Sequence, residues 1–272
     1  MAAVAQGAGV VPRRSLAGWT VIVRQELRDL WLGGRGLVLS LAFSLLLSVV
    51  SYLVATNRAL NFLEQRESVN LTLQVAIAVG SLLALLAAAD SLSGERERGT
   101  LESLLLTPVS RRGIAAGKLL GSLSLWLAAF LVVVPYVWFL GRGIGLVGAA
   151  LAAGLAVGTM LAVFLASLGL VVSMFAASNR VSLSVSLFLL LALYAPTQFP
   201  ASAQQGWAGE LMSRVNPLVA GEHYVGKIVV SNHAWTQDIS WLLSPAVAAV
   251  VLAALVPVLG GRFIKLRGGV TT

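Results

Sequence analysis

The sequence predicts an all-α integral membrane protein: a single domain over residues 1–272 with six transmembrane helices, an N-terminal amphipathic helix, a short cytoplasmic helix between the second and third spans, and short outer-interface helices between the fifth and sixth. Three observations predict it. Hydrophobic residues make up 58% of the chain and charged residues only 11%, whereas a soluble domain carries about a quarter charged residues. Apolar runs recur near the ~20 residues that a helix rising about 1.5 Å per residue needs to cross a bilayer. The cations gather at the ends of those runs, mostly on one side. A mean hydropathy of +0.88 excludes a single soluble core.

Taken in order, the chain starts with the small, weakly apolar stretch Met1 to Val11, followed by Arg13 and Arg14. No apolar core with a small-residue cleavage site follows, so the first spanning helix is expected to act as its own insertion signal. From Ser15 to Leu32, Leu16, Trp19, Val23, Leu27 and Leu30 recur at helical spacing, with Arg24, Glu26, Arg28 and Asp29 between them. This is the pattern of an amphipathic helix lying in the inner interface. Gly33, Gly34 and Gly36 then let the chain turn into the membrane. The spans are placed at about 36–56, 71–89 (closed by Asp90), 119–140, 144–177, 181–195 (ended by Pro196) and 241–261. The fourth is one helix, since neither proline nor a polar turn interrupts it. Its Gly154 and Gly158 form a GxxxG pair, which either permits close helix packing or is incidental in a Gly/Ala-rich run.

Sorting the charges by this layout puts fourteen of the nineteen Lys and Arg residues on the side of both termini, including Arg96, Arg98, Arg111, Arg112, Lys118 and Arg180. Five fall opposite: Arg58, Arg66, Arg142, Arg214 and Lys227. The bias predicts both termini in the cytoplasm. The same placement accounts for the net charge of +8 without nucleic acid, because these cations mark topology and meet anionic lipid headgroups. With no cysteine, disulfides, thiol nucleophiles and thiolate metal sites are excluded. On the outer side, Asn216-Pro217 is a helix start, with Asn as cap and Pro at the first position. Leu218 to Val230 is the helix it opens, and Trp207, Tyr224, Trp235 and Trp241 suit the interface.

The densest charge lies between Asp90 and Lys118. Gly99 is expected to break the helix leaving the second span, and Thr100 to cap a new one. Glu102 sits in the first turn of that helix, where it favours the dipole. Leu101, Leu104 and Leu105 share a face at i, i+3 and i+4. Thr107-Pro108 stops the helix, and Ser110 caps the next one. By pattern alone this short helix either docks a soluble partner or rests on lipid.

The run from Gly94 through Glu95, Arg96, Glu97, Arg98, Gly99, Thr100, Leu101, Glu102, Ser103, Leu104, Leu105, Leu106 and Thr107 to Pro108, then Ser110-Arg111 and Gly117-Lys118, resembles the hallmark of ABC-2 type transporter permeases. Arg24, Glu26 and Leu27 resemble that family's N-terminal elbow helix, and Asn216-Pro217-Leu218 a motif between its fifth and sixth spans. The resemblance implies one ABC-2 type transmembrane domain, with a coupling helix formed by Glu95, Glu97, Gly99, Thr100, Leu101, Glu102, Leu104, Leu105, Thr107 and Pro108. It implies that the acidic members contact basic residues of an ATPase subunit and that the leucines seat the helix. It further implies a unit of two ATPase chains and two permeases, identical or related, in the plasma membrane of a bacterium or archaeon.

No cofactor is expected in this chain, with ATP and Mg held by the partner ATPase. The nearest phosphate-loop-like stretch, Gly113 to Leu119, is one residue short and lacks Ser or Thr after Lys118. No ionisable side chain falls mid-membrane by these spans, which argues against an ion-driven carrier. His223 and His233 lack metal-ligand spacing and are expected to be solvated. Ser44/Ser48 and Ser182/Ser186 are four apart and share a face; such serines bond to their own helix or a neighbour more often than to cargo. The expected function is non-catalytic: ATP-driven export of a substrate, or its movement between leaflets. A second class is a force-transmitting component of an assembly machine acting on an extracytoplasmic protein.

Overall fold

The computed structural model describes residues 18–56, 62–143, 145–198 and 206–264. Arg13, Arg14, Ser15, Leu16, Arg58, Lys265 and Arg267, which entered the sequence reading, lie outside the described residues. Among the described residues, ten α-helices run in chain order: α1 Gly18–Trp31, α2 Arg35–Ala55, α3 Phe62–Glu97, α4 Leu101–Leu105, α5 Arg111–Gly141, α6 Val147–Phe175, α7 Asn179–Tyr194, α8 Trp207–Val215, α9 Pro217–Val229 and α10 Leu243–Phe263. Among the described residues there is no strand. Within the described residues, five helices (α2, α3, α5, α6 and α10) are long and apolar enough to cross a membrane. The predicted fifth span is a shorter apolar helix, α7, of 16 residues.

Local chemistry sets the helix boundaries where the sequence signalled them. The Ser110 hydroxyl accepts from the Gly113 amide at 3.1 Å to open α5, and Ser178 accepts from Val181 at 3.4 Å to open α7. The Asn216 side chain caps α9 by accepting from the amides of Leu218 and Val219, while its own amide donates to the Leu193 carbonyl at 2.7 Å. Gly34, at φ +82°, makes the turn between α1 and α2.

The helix of the second span runs on until the break expected at Gly99: beyond Asp90, α3 continues for seven more residues to Glu97. The Asp90 carboxylate has partners inside the protein, described below, so it does not need to leave the helix for water. At 36 residues, α3 is ~54 Å long, well beyond the ~30 Å hydrocarbon layer. It therefore carries its charged end clear of the apolar run.

The core forms where α6 lies along α3 and against α5, and α10 and α9 close its other sides. Glycines create the room. A Cβ at Gly158 would stand 2.1 Å from Cη2 of Trp126, and one at Gly80 would stand 2.8 Å from its Cε3. The indole thus sits in a slot between α3 and α6, with Nε1 donating to Thr159 Oγ1 at 3.1 Å. Gly154 accommodates Leu73 in the same way. The GxxxG pair is a packing device within the chain, receiving side chains of its neighbours. Close backbone approach falls instead at Gly169, where a Cβ would come within 2.5 Å of the Leu85 carbonyl oxygen.

Three of the four paired serines hold helices together, while the Ser186 hydroxyl is buried without a hydrogen-bond partner among the described residues. Ser44 and Ser48 bond the Tyr136 hydroxyl at 3.0 and 2.8 Å, joining α2 to α5. Ser182 donates to the Ala89 carbonyl at 2.7 Å, joining α7 to α3. Tyr224, expected at the interface, is instead buried: its ring fills the core and its hydroxyl donates to the Trp235 carbonyl at 3.0 Å. Trp207 does project outward. Apolar side chains such as Leu41, Leu45, Val181 and Phe188 cover the outside of α2 and α7, a surface suited to lipid rather than water.

The tryptophan slot makes a direct prediction. Gly158→Ala should overpack it and cost roughly 1–3 kcal/mol, read as a lower thermal unfolding midpoint in detergent. An unchanged midpoint would show that the slot has slack.

Candidate functional site

The densest set of charged contacts lies at one end of the bundle, where α1, α4, the end of α3 and the start of α5 meet. Helix α1 lies across α5 at two glycines. A Cβ at Gly117 would stand 2.7 Å from Ile22 Cγ2, and one at Gly121 would stand 2.7 Å from Glu26 Cβ. Ile22 and Glu26 therefore lead the contact face. The predicted stripe of Val23, Leu27 and Leu30 is half-buried, and Arg24 is exposed. The Trp31 indole donates to Ser124 Oγ at 3.2 Å, securing the far end of α1 on α5.

Beneath α1 the Lys118 side chain is 1% exposed. Its ammonium donates to Glu26 Oε1 at 2.6 Å and to Glu95 Oε1 at 2.7 Å. Three helices are thereby tied through one nitrogen: α1 by Glu26, α3 by Glu95 and α5 by the lysine itself. Desolvating a lone ammonium costs several kcal/mol, and two close carboxylates offset that only while both stay in place.

The four charges that end α3 each hold something different. Glu95 grips α5 through Lys118. Arg96 donates to the carbonyls of Met174 and Ala176, capping the C-terminus of α6, where helix carbonyls lack partners. Glu97 accepts from the Asn179 amide at 2.9 Å and so caps the N-terminus of α7. Arg98 reaches back to Asp90 at 3.9 Å. Asp90 also accepts from Arg35 of α2 at 3.1 Å and from the Asn179 side-chain amide at 2.7 Å. Glu26, Asp90, Glu95, Arg98 and Lys118 surround a small polar cavity of about 130 Å³.

Gly99 ends this run at φ +74°. The Gly99 amide bonds the Arg96 carbonyl at 3.3 Å and the Thr100 amide bonds the Glu95 carbonyl at 3.0 Å. This is the paired closure of a helix C-terminus around a left-handed glycine. It also explains a difference from the sequence reading: Thr100 makes no side-chain cap for α4. The residue is already committed to closing α3, and its hydroxyl donates to the Glu95 carbonyl at 3.3 Å.

Helix α4 is a five-residue turn. Leu101 is buried, and Leu104 and Leu105 lie half-buried against the chain's own core, so the leucine face that was expected to seat a partner is turned inward. Leu106 projects instead, 82% exposed, beside the exposed Glu102, Ser103, Thr107 and Pro108. Val109 then rests against Gly18 at the start of α1. Of the acidic residues singled out by sequence, Glu102 faces solvent, while Glu95 and Glu97 bond within the chain. At the opposite end, His223 stacks on Trp241 at 4.2 Å and His233 Nδ1 meets Asp238 Oδ2 at 2.6 Å. Both imidazoles have local structural partners.

The sequence reading counted Lys118 as a topology charge and as part of the Gly117-Lys118 pair of the hallmark, not as the centre of a buried ion triad. The signal for its position was the Gly117/Gly121 pair, four apart on α5, matched by Ile22/Glu26, four apart on α1.

This architecture is that of a multi-pass helical membrane protein whose terminal charges build a structured surface at one end. A family model described as ABC-2 family transporter protein matches residues 20–261, from α1 into α10. The chain belongs to that family, which supplies membrane components of ATP-binding-cassette transporters that work with an ATPase subunit. Among curated proteins, none matches the chain.

Lys118→Met should leave two half-buried carboxylates without their cation and destabilise the protein by roughly 3–5 kcal/mol. Lys118→Met/Glu95→Gln/Glu26→Gln should recover part of that loss. Thermal unfolding in detergent reads both; a single substitution as stable as wild type would remove the ion triad from the account.

Proposed function

We propose that the chain is the permease subunit of an ABC-2 type transporter, moving a substrate outward or between leaflets while a separate ATPase subunit hydrolyses ATP. The observation that carries this reading is the tip from Glu102 to Pro108, whose exposed residues stand on a base tied to five other helices. Docking falls to Leu106, Glu102, Ser103, Thr107 and Pro108. Leu106 supplies the apolar anchor, and Glu102 supplies charge for a basic groove. Glu95 and Glu97 hold the tip in position, and in this proposal they act on the ATPase only through it.

The charged end is cytoplasmic, as the excess of Lys and Arg there favours. Helix α7 completes six spans. Its 16 residues reach ~24 Å, and local thinning of the bilayer accommodates the difference from ~30 Å. Both termini then lie inside and α8 and α9 outside. The apolar faces of α2 and α7 are where a second permease, identical or related, would pair. Closure of the ATPase subunits would push the tip. Because α3 is unbroken from Glu97, at the base of the tip, back to Phe62, and Lys118 ties α1 and α5 to it, the push would pass from that base to the spans as a rigid-body displacement.

The lack of cysteine makes this testable by single introduced thiols. Leu106→Cys, labelled with a thiol-directed photo-cross-linker, should cross-link to the co-expressed ATPase on illumination. Leu106→Asp should weaken the complex by roughly tenfold or more with an unchanged unfolding midpoint. A folded Leu106→Asp variant that binds and stimulates the ATPase normally would overturn the docking surface.

A further inference from the structure

At the end opposite the charged clasp, α9 presents one face to α3 across a gap. Glu222, His223, Gly226 and Lys227 share that face by helical spacing, and Gln74 of α3 stands across from them. They line a cavity of about 380 Å³, within the ~300–1,000 Å³ of small-molecule sites. Gln74 falls in the first turn of the apolar run 71–89, which is the depth where headgroups meet hydrocarbon.

Three features set this gap apart from ordinary packing. Gly80 and Gly158 are required by contact, but a Cβ at Gly226 would meet nothing closer than Asn70 Nδ2 at 3.9 Å, so the glycine leaves open space. Beside it, the Asn70 side-chain oxygen is buried without a protein partner, a cost of roughly 1–3 kcal/mol that a donor would relieve. Lastly, Glu222 lacks a matched cation. Burial pushes its carboxyl up to about 7, and among the described residues no ion pair joins it to Lys227. Glu26 and Glu95, by comparison, each place one carboxylate oxygen on the Lys118 ammonium.

The cavity therefore presents an acid awaiting a cation, a separate cation, and neutral amides. With both charges formed their sum is zero, which matches a ligand carrying both signs. His223 adds no charge, since burial, foremost, together with Lys227 holds its imidazole towards the neutral form. Val219 and Val230 at the two ends of the same face supply apolar walls for a glycerol or methylene stem.

We propose that this cavity binds an amine-bearing phosphate headgroup, with the ammonium at Glu222 and the phosphate at Lys227. The assignment concerns the membrane subunit alone and needs no ATPase, so it stands or falls separately from the docking reading.

The test uses the purified full chain in detergent and reads binding by thermal shift and native mass spectrometry. The probes are dihexanoyl phosphatidylethanolamine, dihexanoyl phosphatidylglycerol and free phosphoethanolamine. The ethanolamine lipid should bind at least tenfold more tightly than the glycerol lipid. Glu222→Gln, Lys227→Gln and Gly226→Leu should each weaken it at least tenfold. Free phosphoethanolamine binding as tightly as the lipid would identify a soluble source for the headgroup; binding of the lipid alone would identify the bilayer. Equal affinity for the two lipids in the wild type, which requires no variant to fold, would overturn the proposal. So would folded Glu222→Gln and Lys227→Gln variants that bind as the wild type does.

Discussion

The arrangement at the charged end depends on one ammonium group. Lys118 is sealed from solvent by the helix that lies over it, and it cannot remain charged there without Glu26 from α1 and Glu95 from α3. Each helix thus supplies what another would lack alone. Helix α1 is amphipathic and rests at the bundle's edge, where apolar burial through Ile22 is modest. The ion pair to Lys118 and the glycines that let α1 approach make its position specific. If this node fails, α1 loses its charged hold on the bundle and the base of the exposed tip loses its tie to α5, while its ties to α6 and α7 remain.

The same economy runs through the neighbouring residues. Glu95, Arg96, Glu97 and Arg98 occupy one turn of helix, so their side chains fan out in four directions and meet α5, α6, α7 and the Asp90 cluster in turn. A charged stretch that reads as a solvated docking surface is in large part a clasp. The exposed surface that follows is smaller: it begins at Glu102, and its most exposed apolar side chain is Leu106. The proposed docking role needs both properties, a contact that yields to a partner and a base that does not yield to the membrane. The clasp separates them by a few residues of chain.

Much of this fold was legible in the sequence because bilayer-crossing helices obey a length rule. The runs 36–56, 119–140, 144–177 and 241–261 fall within α2, α5, α6 and α10, apart from a residue or two at some ends and the three residues before α6. Caps written in local residues, Ser110 and Asn216-Pro217, also read correctly. What failed was whatever depended on tertiary partners. Asp90 gave no local sign of its partners, because Arg35 and Asn179 are distant in sequence. Thr100 fitted the cap pattern, but the glycine before it had already enlisted its amide to close α3. Tyr224 had an interface composition and a core position. The leucines of α4 have the right spacing for one face, but spacing does not say whether that face meets a partner or the chain's own core.

The central claim is that Lys118 holds α1 and the end of α3 on α5 as one body. Hydrogen exchange read by mass spectrometry tests it directly, comparing wild type with Lys118→Met in the same lipid discs. The account predicts a selective loss of protection over residues 18–31, by roughly tenfold or more, since freeing a helix by even ~1.4 kcal/mol shifts its opening equilibrium that far. Residues 147–175 of the α6 core should keep wild-type protection. Unchanged protection of α1 in the variant, or equal loosening of α1 and α6, would contradict a local node and leave the ion triad as one contact among many.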